Sequence, residues 1–245
     1  MENATMNRVQ AHYDEIVARY GEWRVIAVCL VGSQNYGLDE ETSDVDTKAI
    51  ILPTLEDIIM LKEPVSTTIM LDNGEQIAVK DVRLFVYCLE KQNVNFVETL
   101  FTNYYIINPK WEELWNMLLK NREVVARHNP KAMAECFAGI IRTRTKYAFI
   151  GGKGKDLYVI ARAYDMLERF LEGHNFYSVL DCSERRESLL EIKHGEYDEK
   201  NHYLEHAEDL IDAFRPQPNH AARGYLNNWL HAVMTTFMRE ELDAT

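Results

Sequence analysis

Two aspartates separated by one residue, Asp44 and Asp46, follow a Gly32-Ser33 pair with ten residues between. The run that begins at Asp44, DVDTKAIIL, alternates and then turns fully apolar, the pattern of a strand entering a core. In a strand, residues two apart point to the same side, which predicts both carboxylates on one face at the end of a sheet. Carboxylates that close repel one another unless a divalent cation lies between them, and an oxygen-rich site favours Mg²⁺ or Mn²⁺. Gly32 lets backbone approach a ligand closely, and the Ser33 hydroxyl with its neighbouring N–H groups could hold phosphate oxygens. The plainer alternative is a pair of solvated carboxylates at a strand end.

Other candidate groups lie in the second half of the chain. The protein carries a net charge of −12, which weighs against wrapping a long nucleic acid, because phosphate-driven affinity needs Lys and Arg. The charge is uneven: residues 1–120 hold 10 basic against 19 acidic side chains, and residues 121–245 hold 17 against 20. Between Arg142 and Arg162 stand six basic residues (Arg142, Arg144, Lys146, Lys153, Lys155, Arg162) and one acid, Asp156, a local field suited to an anion. Lys155 and Arg162 are seven apart, two helical turns, and share a helix face, either toward a ligand or exposed beside Asp156 and Asp165. The GGKGK segment at 151–155 fails the P-loop pattern at both ends. His202, Glu205 and His206 fit H-x-x-E-H, an inverted zinc-peptidase motif, although the apolar stripe of that helix puts the histidines on its flank. Asn93 and Glu98 read equally well as helix-capping or packing residues and as site residues.

The elements that must position these groups follow from periodicity. Residues 6–20 form an amphipathic helix stopped by Gly21, and Val25–Val31 is a β-branched run covered on both faces. Pro53 ends the strand from Asp44, LEDIIML is a short helical segment, and Asp72-Asn73-Gly74 joins VSTTIML to EQIAVKDV as a hairpin. From Leu84 onward the pattern is helical, with Pro130 a boundary mark and helices expected over 131–150, 155–172, 202–214 and 223–241. The expectation is an α+β fold: a mixed sheet with flanking helices in a domain over residues 1–120, then an all-helical domain over 121–245 that closes a cleft. At 47% hydrophobic and 27% charged, the chain is not a disordered one. It has no apolar run long enough to span a bilayer and no leader-like start, and its four scattered cysteines suit reduced thiols in a cytoplasm.

The arrangement G-S, ten residues, D-x-D resembles the DNA polymerase β nucleotidyltransferase superfamily. Tyr36-Gly37 and Ser43-Asp44-Val45-Asp46 look closest to a family of bacterial and phage predicted nucleotidyltransferases. The likeness continues at NVNFVETLF (Asn93–Phe101), where Val94 replaces that family's proline, at KDLYVIAR (Lys155–Arg162) and at IKHGEY (Ile192–Tyr197). The resemblance implies transfer of a nucleoside monophosphate from an NTP to an acceptor hydroxyl, with pyrophosphate leaving and Mg²⁺ or Mn²⁺ as cofactor. It assigns metal binding to Asp44 and Asp46, the β/γ-phosphates to Gly32 and Ser33, and positive charge on the triphosphate to Lys155 and Arg162. The acceptor stays open: an RNA 3′ end such as that of tRNA, a protein side chain, or a small molecule. The sequence departs from the superfamily at its third carboxylate, because the position that aligns best is Gln76. Asp81 is the favoured substitute and Glu75 the second. If neither reaches the metals, the chain would be a nucleotide-binding descendant without activity.

Overall fold

The computed structural model describes residues 2–149, 154–195, 200–214 and 221–243. Five strands, β1 (Val25–Val31), β2 (Asp46–Ile51), β3 (Ser66–Met70), β4 (Gln76–Asp81) and β5 (Tyr105–Ile107), form a mixed sheet in the order β3-β4-β2-β1-β5. β2 runs parallel to β4, and the other neighbours are antiparallel. The hairpin over Asp72-Asn73-Gly74 is present as expected, with Gly74 at φ 88°. β5 is a strand that the periodicity did not predict; three residues are too few to show an alternation.

The helices are α1 (Glu2–Tyr20), α2 (Leu55–Ile59), α3 (Val82–Glu90), α4 (Val94–Val97), α5 (Glu112–Lys120) and α6 (Arg122–Ala126). They continue as α7 (Pro130–Phe149), α8 (Gly154–Leu171), α9 (Phe176–Leu180), α10 (Arg186–His194), α11 (Lys200–Ala213) and α12 (Ala221–Asp243). Pro130 begins α7, where its missing N–H costs nothing.

Each face of the sheet has its own core. On one side Val9, Tyr13 and Ile16 of α1 pack on Val28, Leu30, Val45, Ala49, Ile77 and Val79. On the other, Cys29 and Ile50 begin a larger cluster that continues through Phe85, Trp115, Phe137, Phe170 and Trp229. β1 serves both, and a register shift between Val25 and Ala27 lets Ile26 and Ala27 join the same cluster in succession. The larger cluster passes through position 120 without a break: Phe85 stacks on Trp115 at 5.9 Å and meets Trp229 edge-on at 6.5 Å. Among the described residues no helix is long and apolar enough to cross a membrane.

Candidate active site

The loop between β1 and β2 carries the motif and is held from two sides. Gly32 adopts φ 85°, ψ −154°, a conformation open essentially to glycine alone, and turns the chain out of β1 into a 3₁₀ turn over Ser33–Tyr36. From the helical region, the Cys182 N–H donates to the Tyr36 carbonyl (3.0 Å) and Arg186 to the carbonyls of Gly37 (2.8 Å) and Asp39. Lys193 and His194 of α10 both meet the Glu40 carboxylate, the histidine at 2.7 Å. These contacts join the two halves of the chain at the motif itself.

Asp46 is the first residue of β2, whereas Asp44 lies in the loop and is exposed. The strand expected from Asp44 starts two residues later because the Val45 N–H bonds the Glu75 carboxylate (3.2 Å) and so leaves the ladder. The two aspartates still sense one another. Burial, and then the Asp44 charge, raise the Asp46 carboxyl above its ordinary value, opposed by Lys48, a hydrogen bond from the Gln76 backbone, and Lys155. Lys155, exposed in the first turn of α8, is thus near enough to act on Asp46. A Cβ on Gly32 would lie 4.0 Å from Asp46 Oδ2, so the space in front of the carboxylate opens onto bare backbone. Gly32→Ala is expected to cost about 1–3 kcal/mol of folding free energy, since the new Cβ forces a glycine-only conformation. A urea midpoint equal to that of the unsubstituted protein would show that the loop relaxes freely.

The donor set suits a hard divalent cation. Mg²⁺ is commonly held by one or two carboxylates, with waters and substrate phosphates completing its shell. No group of three or more His, Cys, Asp or Glu side chains suited to a metal occurs among the described residues. The pair Asp44 and Asp46 would therefore rely on the triphosphate for further ligands.

Asp81 does not join this site. The parallel register sets Asp81 beside Ile51 at the far end of β2, while the start of β4, at Gln76 and Ile77, neighbours Asp46 and Thr47. Its carboxylate caps α3 through the Arg83 N–H (2.8 Å) and grips the Arg83 guanidinium at 2.9 and 2.7 Å. Asp81 is a helix cap, and its expected catalytic role is corrected on those grounds. Glu75 is buried on the face toward α1, away from Asp46.

Lys155 and Arg162 do share a face of α8, but their surroundings differ. The Arg162 guanidinium stacks over the Tyr36 ring at 4.5 Å and near Tyr158 at 5.4 Å, so it meets the site through Tyr36. Two of the six basic residues are neutralised locally: Arg142 pairs with Glu208 (2.6 Å) and Glu135 (3.5 Å), and Arg144 with Asp156 (3.1 Å). Lys153 lies outside the described residues, as do 196 and 197 of the IKHGEY segment and the side chain of His202. His206 lies 6.5 Å from Tyr164, ring to ring, and Glu205 is exposed.

Sequence reading missed a buried network. Glu98, 2% exposed, accepts the Tyr36 hydroxyl at 2.5 Å and the Lys48 ammonium at 3.2 Å. Tyr36 closes the Gly32 turn and Lys48 follows Asp46 on the same strand face, so one carboxylate ties the two halves of the motif together. The signal was an acid inside an apolar run, VNFVETLF, where burial demands a partner.

A mixed sheet that presents a glycine turn beside two aspartates, backed by a helical region bearing a lysine, is that of a polymerase β-like nucleotidyltransferase. The chain belongs to the RNA repair pathway DNA polymerase beta family, RlaP, whose profile matches residues 5–224. Among solved structures it is similar to a nucleotidyltransferase-like protein from Exiguobacterium sibiricum 255-15, with 14% identity over 96% of this chain and 91% of that one. The TM-score there is 0.34. No curated protein matches the chain.

Proposed function

We propose that the protein moves a nucleoside monophosphate from an NTP to the 3′ hydroxyl of an RNA, releasing pyrophosphate. The acceptor oxygen bonds to the α-phosphorus, the bond to the bridging oxygen of the β-phosphate breaks, and the hydroxyl proton passes to solvent. What supports this reading is that the open backbone at Gly32 faces Asp46, and that the charges of Asp44 and Lys155 act on that carboxyl, in a chain that matches its family over nearly its whole length. Of the three acceptor classes, RNA is supported by the family's own description.

Asp44 and Asp46 would hold Mg²⁺ or Mn²⁺, which lowers the charge on the α-phosphate and activates the acceptor oxygen. Gly32 and Ser33 would offer backbone and a hydroxyl to the β- and γ-phosphates, and Lys155 an exposed positive charge. Arg162 adds its field from behind Tyr36. On this reading residues 1–120 supply the metal-binding wall and residues 121–245 the cationic wall.

One observation favours a second reading, a nucleotide-binding descendant without transfer: the residue beside Asp46 on β4 is Gln76, and Asp81 is committed to Arg83. Both are tested by incubating the protein with each α-labelled NTP, Mg²⁺ or Mn²⁺, and RNA, protein and metabolite fractions, beside an Asp44→Ala/Asp46→Ala variant. Label is expected in the RNA fraction with the unsubstituted protein alone, at a yield that falls steeply with salt. Label in protein or small molecules would replace the acceptor, and nucleotide binding without label would establish the descendant.

A further inference from the structure

The face of the sheet opposite Asp46 carries a polar cluster within an otherwise apolar core. Glu75 Oε1 accepts the Val45 N–H at 3.2 Å and meets the Arg8 guanidinium. Oε2 accepts from Asn73 Nδ2 at 2.8 Å and lies 2.9 Å from His12 Nε2. His12 Nδ1 is in turn 2.9 Å from Thr47 Oγ1. Burial, and then Arg8, push His12 down to about 4, so the ring is neutral at pH 7. The tautomer that satisfies both neighbours has Nε2–H donating to Glu75 and Nδ1 accepting the Thr47 hydroxyl proton. Two lighter contacts extend the cluster: Arg8 reaches the Ser43 carbonyl at 3.5 Å, and Thr5 donates to Gln34 (3.0 Å), whose Nε2 reaches the Asp44 carbonyl at 3.4 Å.

The Ser43 and Asp44 carbonyls, the Val45 N–H and the side chain of Thr47 are therefore bound, directly or through one residue, to Thr5, Arg8 or His12 of α1. A carboxylate has about four lone-pair sites, and four donors occupy those of Glu75. Strand alternation also turns Val45 and Thr47 toward α1 and Asp46 away from it.

We propose that α1, through Arg8, His12 and Glu75, fixes the backbone that bears Asp44 and Asp46, and that Glu75 is a positioning residue, not the missing third metal ligand. The proposal rests on the reading of Asp44 and Asp46 as the metal-binding pair. It separates cleanly from a ligand role through Glu75→Gln. The amide oxygen still accepts the Val45 N–H, and the new NH₂ is met by His12 in its other tautomer, accepting at Nε2 and donating from Nδ1 to Thr47, so that the one hydrogen bond given up is that from Asn73 Nδ2. A ligand carboxylate would tolerate no such exchange.

Glu75→Gln, Glu75→Ala, Asp46→Asn and Asp44→Ala/Asp46→Ala are compared in three measurements: Mn²⁺ binding by electron paramagnetic resonance, nucleotidyl transfer, and exchange of the Val45 amide by NMR. Glu75→Gln is expected to bind Mn²⁺ and transfer within about fivefold of the unsubstituted protein, the scale of one hydrogen bond. Glu75→Ala is expected to lower kcat about 10–100-fold with KM for NTP nearly unchanged, and to speed Val45 exchange at least about fivefold. Glu75→Gln as inactive and as poor in Mn²⁺ as Asp46→Asn would make Glu75 a ligand and overturn the proposal. Unchanged Val45 exchange in Glu75→Ala would overturn it too; should that variant not fold, Arg8→Ala is read in the same way. The amide measurement needs no activity. If the Asp44→Ala/Asp46→Ala protein transfers normally, the metal-site reading fails by itself, and Val45 exchange still decides whether Glu75 holds the loop.

Discussion

Asp46→Asn is expected to lower nucleotidyl transfer by about 10³-fold or more while making the metal-free protein more stable. Loss of a metal-binding carboxylate removes several kcal/mol of transition-state charge stabilisation, and each 1.36 kcal/mol is a factor of ten in rate. Stability moves the other way because the carboxyl is held above its ordinary value, first by burial and then by Asp44. A carboxyl whose pKa is raised by folding weakens the folded state at neutral pH, and the penalty fades as pH falls toward the raised value. The amide removes that penalty and keeps an oxygen to accept the hydrogen bond from the Gln76 backbone. Thermal melts at pH 7 and near pH 4 measure this: the gain should be larger at pH 7. A melting temperature that drops at pH 7 would mean that Asp46 holds the fold together, and any loss of activity would then say nothing about a metal.

Glu98→Ala is expected to destabilise the protein by about 3–5 kcal/mol, the range for removing one partner of a buried ion pair. Lys48 is 11% exposed and the Tyr36 hydroxyl is buried, so the truncation leaves both groups without an acceptor in a dry site. Burial, then the Glu98 charge, hold the Tyr36 phenol far above its ordinary value, so it remains a donor and cannot replace the lost charge. Glu98→Gln keeps the acceptor for Tyr36 and should cost clearly less. Adding Lys48→Met to Glu98→Gln should recover part of the remainder, because the stranded ammonium goes with it. Urea denaturation of the three variants measures the ordering. A cost below about 1 kcal/mol for Glu98→Ala, the value of an exposed pair, would mean that water enters the network.

Family, fold class and motif were legible in the chain because each depends on local pattern. Val25–Val31 reads as a doubly covered strand from its unbroken β-branched run, the hairpin follows from Asp72-Asn73-Gly74, and Gly32-Ser33 with Asp44 and Asp46 carries the resemblance by spacing alone. Periodicity also gave α1 and the helices after Leu84, since apolar side chains recur at the helical interval wherever a face must be buried.

What tertiary structure alone decided is which charged groups meet. Asp81, Glu75 and Gln76 lie within seven positions on or beside one strand, and nothing local separates them. The parallel register of β2 on β4 places Gln76 beside Asp46 and carries Asp81 five residues along the strand to Arg83, and the pleat turns Glu75 to α1. The same holds for Arg162, which shares a helix face with Lys155 by spacing but is covered by Tyr36 once α8 packs against the motif loop. Composition marked 142–162 as basic, yet it could not show that Glu208 and Asp156 neutralise Arg142 and Arg144. Sequence fixes which groups a segment offers; the partner of each is set by contacts between residues far apart in the chain, such as Tyr36 with Glu98 and His12 with Glu75, for which no local periodicity exists.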